Sequence, residues 1–237
     1  MMKKSALTLG LVLLIAGCNR PPETGGTADM NTESQWEQLF DGESLANWRG
    51  FRSDSIPAKW VIDDGAIHFD PEAEGEGGDI VTREAYDNFE LTFEWRIGEC
   101  GNSGVIYRAD ISEQYEAPWE TGPEYQILDN TCHPDAENGL NRTAAANYDM
   151  NAPTEDVTRP AGEWNEARIL VDSSHVEHWL NGTKVVEYEL WSEEWEANVA
   201  NSKWVDYPDY GRATSGHIAL QDHGDPVWYR NIRIRRL

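Results

Sequence analysis

Two short segments of the chain carry side chains that an ordinary solvated strand does not need. In SGHIALQDHG, read at period two, His217, Ala219, Gln221 and His223 share one face. Ile218 and Leu220 take the other face, and Asp222 closes the strand. In GPEYQILDN, Glu124 and Gln126 share one face, and Tyr125 and Ile127 share the other. Imidazole and carboxylate are the usual proton-transfer groups, and His223 and Glu124 are the candidate bases. Arg108, in GNSGVIYR, offers a planar cation that suits a developing oxyanion or an ion pair with Glu124. Two carboxylates about 5 Å apart would serve direct displacement at a glycosidic carbon. The second strand position is Gln126, however, and no E-x-D-x-x-E run occurs. Two-carboxylate chemistry is therefore disfavoured.

Further side chains could contact a ligand. Gln126 and Gln221 are the amides on the candidate faces, and Asn102 sits in the Gly101–Gly104 turn, where it serves either a sugar hydroxyl or the turn itself. Trp119, in YEAPWETGPEY just before Glu124, is placed to stack on a pyranose ring. His178 alternates with Val176 and Leu180, so it fits a substrate contact or a satisfied core histidine equally well. His217 fits pairing across the sheet, and Asp222 fits a cap on the Asp-His-Gly turn. Trp48, Trp60, Trp95, Trp179 and Trp228 lie in apolar strand patterns and are expected in the core. His217, His223 and Asp222 match no zinc spacing. No cofactor is expected, except that the acidic loop DPEAEGEGGD could hold a structural calcium through oxygen ligands.

These groups need a scaffold, and the chain signals strands. WVIDDGAIHFD reads as a hairpin about Asp-Asp-Gly. FELTFEWRI alternates, with Phe89, Leu91, Phe93, Trp95 and Ile97 inward. NEARILVDSSHVEHWLNGTKVVEYEL breaks into three strands at Ser173-Ser174 and Asn181-Gly182. The pattern predicts an all-β antiparallel sandwich with one or two short helices. One helix is expected from an N-cap at Ser192 to about Ser202, and ESQWEQLF could hold a helical turn. The polar stretch from Thr131 to Gly162 lacks periodicity, and a loop that long is more often functional than idle.

The 237 residues carry 19 basic and 43 acidic side chains, a net charge of −24. Such a surface repels nucleic acid and anionic lipid, while a neutral ligand is easily accommodated. MMKKSALTLGLVLLIAGCNR has a basic start and an apolar run too short to span a bilayer, and it resembles a bacterial lipoprotein signal. That resemblance implies cleavage of residues 1–17 and lipidation of Cys18, with membrane contact only through the anchor. Residues 18–35 read as a disordered tether, and 36–237 as the folded domain. In an oxidising periplasm the two remaining cysteines, Cys100 and Cys132, read as one disulfide.

LFDGESLANWRG, GNSGVIYR, GPEYQILDN, EWNEARILVDSSHVEHWLNGTKVVEYE and GHIALQDHGDPVWYRNIRIRRL together resemble the bacterial 3-keto-disaccharide hydrolase domain family. The resemblance runs from Trp36 to Leu237; Cys100 and Trp204 depart from the usual pattern. It implies a concanavalin A-like jelly-roll sandwich of two antiparallel sheets, a neutral sugar substrate held on one sheet, and an upstream oxidoreductase that makes the 3-keto sugar. A C3 carbonyl acidifies the C2 proton, so one base can expel the glycosidic oxygen by elimination, with water adding back at C1. Glu124, His223 and Arg108 would carry this chemistry, with Gln126, Gln221, His178, Asn102 and Trp119 binding the sugar. The alternative from the residues themselves is a non-catalytic, lectin-like carbohydrate-binding lipoprotein. Both readings expect an exported protein, periplasmic or on the cell surface.

The anchor is directly testable. Cys18→Ser is expected to move the protein from the membrane to the soluble fraction with its domain folded, read by fractionation and circular dichroism. A mutant that still sediments with membranes contradicts the lipid anchor.

Overall fold

The computed structural model describes residues 35–237, so the signal, Cys18 and nearly all of the tether lie outside the described residues. The alternating segment forms β6 (Phe89–Ile97), and its five alternating apolar side chains are all buried. β3 (Trp60–Asp63) and β4 (Ala66–Phe69) form the expected hairpin. Their turn places Asp64 at φ 47° and Gly65 at φ 73°, the left-handed pair that a tight hairpin requires. Asn181 and Gly182 do the same, at 48° and 84°, between β10 (His175–Leu180) and β11 (Thr183–Glu189).

Two antiparallel sheets result. One has the order β11-β10-β9-β6-β13-β4-β3, where β9 is Asn165–Asp172 and β13 is Val227–Arg236, with β1 (Glu37–Gln38) added along β13. The other has five strands in the order β2-β5-β12-β7-β8. These are Trp48–Gly50, Ile80–Thr82, His217–Leu220, Asn102–Ala109 and Glu124–Leu128. The core between the sheets is aromatic: Trp48, Trp95, Tyr125 and Tyr229 are fully enclosed, and Phe93 meets Tyr125 edge-on at 5.7 Å. The architecture is the expected jelly-roll-type sandwich, with one α-helix among the described residues, α1 (Glu193–Ala200). Ser192 caps it by accepting from Trp195 N–H at 3.1 Å. No helix among the described residues is long and apolar enough to cross a membrane.

Three local expectations need correction. ESQWEQLF supplies β1 rather than a helical turn, because pairing Glu37 and Gln38 with Ile234 and Arg233 satisfies backbone groups that a single isolated turn would leave open. α1 stops at Ala200, and a separate 3₁₀ turn, Lys203–Asp206, follows with its own Ser202 cap. Trp179 and Trp228 face outward. The inward frame of β10 is Val176, His178 and Leu180, which forces Trp179 to the outer face, where the Arg168 guanidinium lies 4.9 Å from its ring centre. Trp228 is sandwiched between His68 at 4.1 Å and Arg96 at 4.2 Å.

Cys100 and Cys132 are bonded, with Cα atoms 4.7 Å apart and a separation of 32 residues. The bridge joins the loop before β7 to the segment after β8. Asp129 reinforces the junction by accepting from Cys100 N–H at 2.9 Å. Closing a loop of that size is worth roughly 3 to 4 kcal/mol on the chain-entropy model. The paired Cys100→Ala, Cys132→Ala variant is expected to lose about that much stability in urea unfolding. Two free thiols in the oxidised, exported protein would overturn the pairing.

Candidate active site

β8 is the edge of the five-stranded sheet, and the long loop covers it. Gln126 N–H donates to Ala146 O, Ala145 N–H to Gln126 O, and Tyr148 N–H to Glu124 O, at 2.8–3.1 Å. The loop that lacked periodicity is thus held as an irregular extra strand. It brings Tyr148 over the face where Glu124 and Gln126 point. Asp135 locks it further by accepting from Tyr148 OH at 2.7 Å and pairing with Arg142 at 3.1 Å.

The two segments that opened the sequence reading meet at this place. A cavity of about 220 Å³ is lined by Asn102, Trp119, Glu124, Gln126, Tyr148, Lys203, Gln221 and His223. β7 bridges the contributing strands, since Gly104 pairs with Gln126 in β8 and Gly104 O accepts from Gln221 N–H at 3.0 Å. Gly104 also makes room: a Cβ there would come within 2.9 Å of the Glu124 carboxyl carbon. Any side chain at 104 would push the carboxyl off the sheet.

Glu124 is 3 % exposed, and no hydrogen bond among the described residues ends on its carboxyl. Burial pushes its pKa from 4.5 to about 7, with Asp79 and Asp135 adding repulsion and Lys203 pulling the other way. Lys203 comes from the 3₁₀ turn after α1. Its ammonium lies 4.3 Å from the ring centres of Tyr148 and Trp204 and 5.5 Å from that of Trp119. The residue as a whole is exposed, yet protein atoms crowd its head group. That crowding lowers its pKa, opposed by Glu124, Asp149 and Asp135. Trp119 stands half-buried at the rim, edge-on to Tyr207 at 5.3 Å. Gln126 Oε1 accepts from Ile127 N–H at 3.2 Å, and His223 Nε2 lies 3.4 Å from Asn102 Nδ2.

Two expected members are elsewhere. Arg108 falls in a bulge where Tyr107 and Arg108 together face Ile218, and its φ of 52° turns the side chain out of the Asn102–Gly104–Ile106 frame. Its guanidinium donates instead to Asp87 O at 2.7 and 2.9 Å and to Ser173 O at 2.9 Å. His178 is fully buried between the sheets. It donates from Nδ1 to Ala145 O and accepts at Nε2 from Tyr107 OH, both at 2.9 Å, and burial pushes its pKa down to about 4. His217 donates to Thr82 O at 2.8 Å. Asp222 accepts from Gly78 and Gly224 N–H, so it caps turns. No carboxylate of DPEAEGEGGD joins a three-ligand cluster among the described residues.

Lys203 and Tyr148 join the site without having been expected from the sequence. A faint signal for Lys203 existed: it is a rare cation, flanked by a capping serine and a tryptophan, in a strongly acidic chain. Tyr148 lay in a loop with no pattern to read. A larger groove of about 690 Å³ lies on the outer face of the eight-stranded sheet. Two of its charged groups are held by neighbouring side chains, Arg168 by Glu90 and Glu94 by Arg230 and Asn231.

Residues 35–235 match the family described as the 3-keto-alpha-glucoside-1,2-lyase-like domain. The chain is similar to a 3-keto-disaccharide hydrolase of Bacteroides thetaiotaomicron, 38% identical over 224 residues, which cover 84% of this chain and 77% of that protein. Among solved structures it resembles two Parabacteroides distasonis proteins described as candidate glycosyl hydrolases. One is 35% identical with a TM-score of 0.80, covering 88% of this chain and 97% of that one. The other is 27% identical with a TM-score of 0.67, covering 85% and 99%.

The raised pKa of Glu124 has a signed consequence. The folded state holds the extra proton, so stability falls as pH rises from about 4.5 through about 7. Above that window the ionised carboxylate costs up to about 3 kcal/mol. Glu124→Gln is therefore expected to match the parent near pH 4.5 and to exceed it in urea stability by up to about 3 kcal/mol at pH 8. Equal differences at both pH values would mean that Glu124 ionises normally.

Proposed function

Because this chain belongs to the 3-keto-alpha-glucoside-1,2-lyase-like domain family and is a hydrolase, we propose that it cleaves the glycosidic bond of 3-keto-glycosides by elimination and rehydration. The observation that carries this reading is the composition of the cavity wall. Among the described residues lining it, Glu124 is the one carboxylate, and an amide and a cation stand where displacement chemistry would need a second acid.

A single base is enough for a 3-keto sugar. Glu124, poised near neutrality, removes the proton at C2. The electron pair moves toward C3, and the Lys203 ammonium faces the enolate oxygen, the role first given to Arg108. The C1–O bond then breaks, and the leaving oxygen takes a proton. Water adds across C1 and C2, so the net reaction is hydrolysis. Trp119 suits the hydrophobic face of a pyranose, while Asn102, Gln126 and Gln221 suit its hydroxyls. A purely binding site would have no use for a desolvated carboxylate. The substrate implies an oxidoreductase that supplies the 3-keto sugar, and the N-terminal signal supports an exported, lipid-anchored enzyme.

The test is incubation of the domain in D₂O with a 3-keto-disaccharide and with its unoxidised parent. Deuterium is expected at C2 of the released keto sugar, with little cleavage of the parent. Glu124→Gln is expected to lower kcat about 10²–10⁴-fold and Lys203→Met about 10²–10³-fold. Trp119→Ala should mainly raise KM. Cleavage without label at C2 excludes elimination, and equal rates on both sugars exclude the substrate.

A further inference from the structure

The lip of the cavity holds a set of metal-ligating side chains that spacing along the chain conceals. A nitrogen of His133, a nitrogen of His223 and a carboxylate oxygen of Asp225 all lie within 4.8 Å of one another. Two segments bring them there. His133 follows the disulfide-bonded Cys132, and His223 and Asp225 stand in the connection between β12 and β13. Asn102, at the start of β7, sits among them. Its N–H donates to Asp225 Oδ2 at 3.0 Å, and its side-chain amide reaches His223 at 3.4 Å.

Asn102 supplies the independent observation. The residue is 4 % exposed, yet its Oδ1 is buried without a hydrogen-bond partner. Turning the amide over would move the oxygen next to His223 and leave the nitrogen unpartnered instead, so protein groups alone never satisfy both ends. With the amide turned over, the oxygen beside His223 is placed to serve as a ligand for a cation held there.

We infer that His133, His223 and Asp225, assisted by the Asn102 amide oxygen, bind one divalent first-row transition metal ion at the mouth of the Glu124 cavity. Two imidazoles and a carboxylate suit Zn²⁺, Co²⁺ or Mn²⁺ and leave positions open for substrate. His223 is about half exposed and free to turn toward an ion. Capture through His133 Nδ1 would exchange the 3.1 Å bond it accepts from Asp135 N–H, one backbone bond in a partly buried turn. If the function proposed above holds, the ion would add a second cationic contact for the sugar oxygens beside Lys203. His223 then acts as a ligand, and Glu124 is left as the base.

The experiment needs no sugar, so its outcome is separate from that of the substrate assignment. The full domain is stripped with chelator, then titrated with ZnCl₂ by calorimetry and with CoCl₂ by visible absorption. One ion per chain and cobalt ligand-field bands are expected. His133→Ala and His223→Ala should each weaken binding by at least about tenfold, the lower end of what even outer-shell changes cause. His175→Ala, in the exposed cluster with Glu177 and Glu187, should leave it unchanged. No stoichiometric uptake overturns the inference. So does uptake that survives both His133→Ala and His223→Ala, or uptake abolished by His175→Ala.

Discussion

The structure around the cavity depends on one constraint: a carboxyl group buried over a glycine of the neighbouring strand and, among the described residues, accepting no hydrogen bond. Ionisation in such a place is opposed by desolvation, and only a nearby positive charge offsets it. Gly104 provides the space and Lys203 the charge. Most of the surrounding architecture serves to hold those two against Glu124. β7 sets the register that puts Gly104 beside Gln126, and the loop backbone closes the edge of β8. The aromatic wall of Trp119, Tyr148 and Trp204 holds the ammonium by its ring faces and not by a carboxylate that would neutralise it.

The two sheets divide the labour. The eight-stranded sheet presents an outer face of paired charges, such as Arg168 and Arg235 on Glu90 and Arg230 on Glu94, which satisfies itself and leaves little free for a ligand. The five-stranded sheet has Ile106 and Ala219 buried against Phe51, Ile111 and Trp119, and the polar groups of the cavity gather at one end. That end is also where the covalent bridge lies. The disulfide, the Asp129 contacts and the Arg142–Asp135–Asp149 cluster all order the loop between β8 and β9. A loop of such length would otherwise sample many conformations. Its ordering turns a polar segment into one wall of a cavity.

Much of the fold was legible in the chain because it rests on local rules. Alternation in FELTFEWRI, the Asp-Gly and Asn-Gly turns and the serine cap of α1 act over a few residues, and each element formed as expected. The same rules placed Glu124 and Gln126 on one face of β8, because period two along a regular strand is set by the backbone itself, while Gln221 and His223 reach the same cavity from just past the end of β12. The failures are where that period breaks or never applied. A single bulge in β7 took Arg108 away from the site, and no residue type announces a bulge of this kind.

What only the tertiary structure decided is which distant groups complete the site. Lys203 lies on a 3₁₀ turn and Tyr148 in an aperiodic loop, and their approach to Glu124 depends on how segments far apart in sequence pack together. His133 meets His223 and Asp225 for the same reason, across a gap of ninety positions that spacing rules cannot bridge. The pKa of Glu124 belongs to this class too. The sequence by itself determined that a carboxylate stands on that strand face; its poise near neutrality comes from the water that packing excludes and the charges that packing brings close.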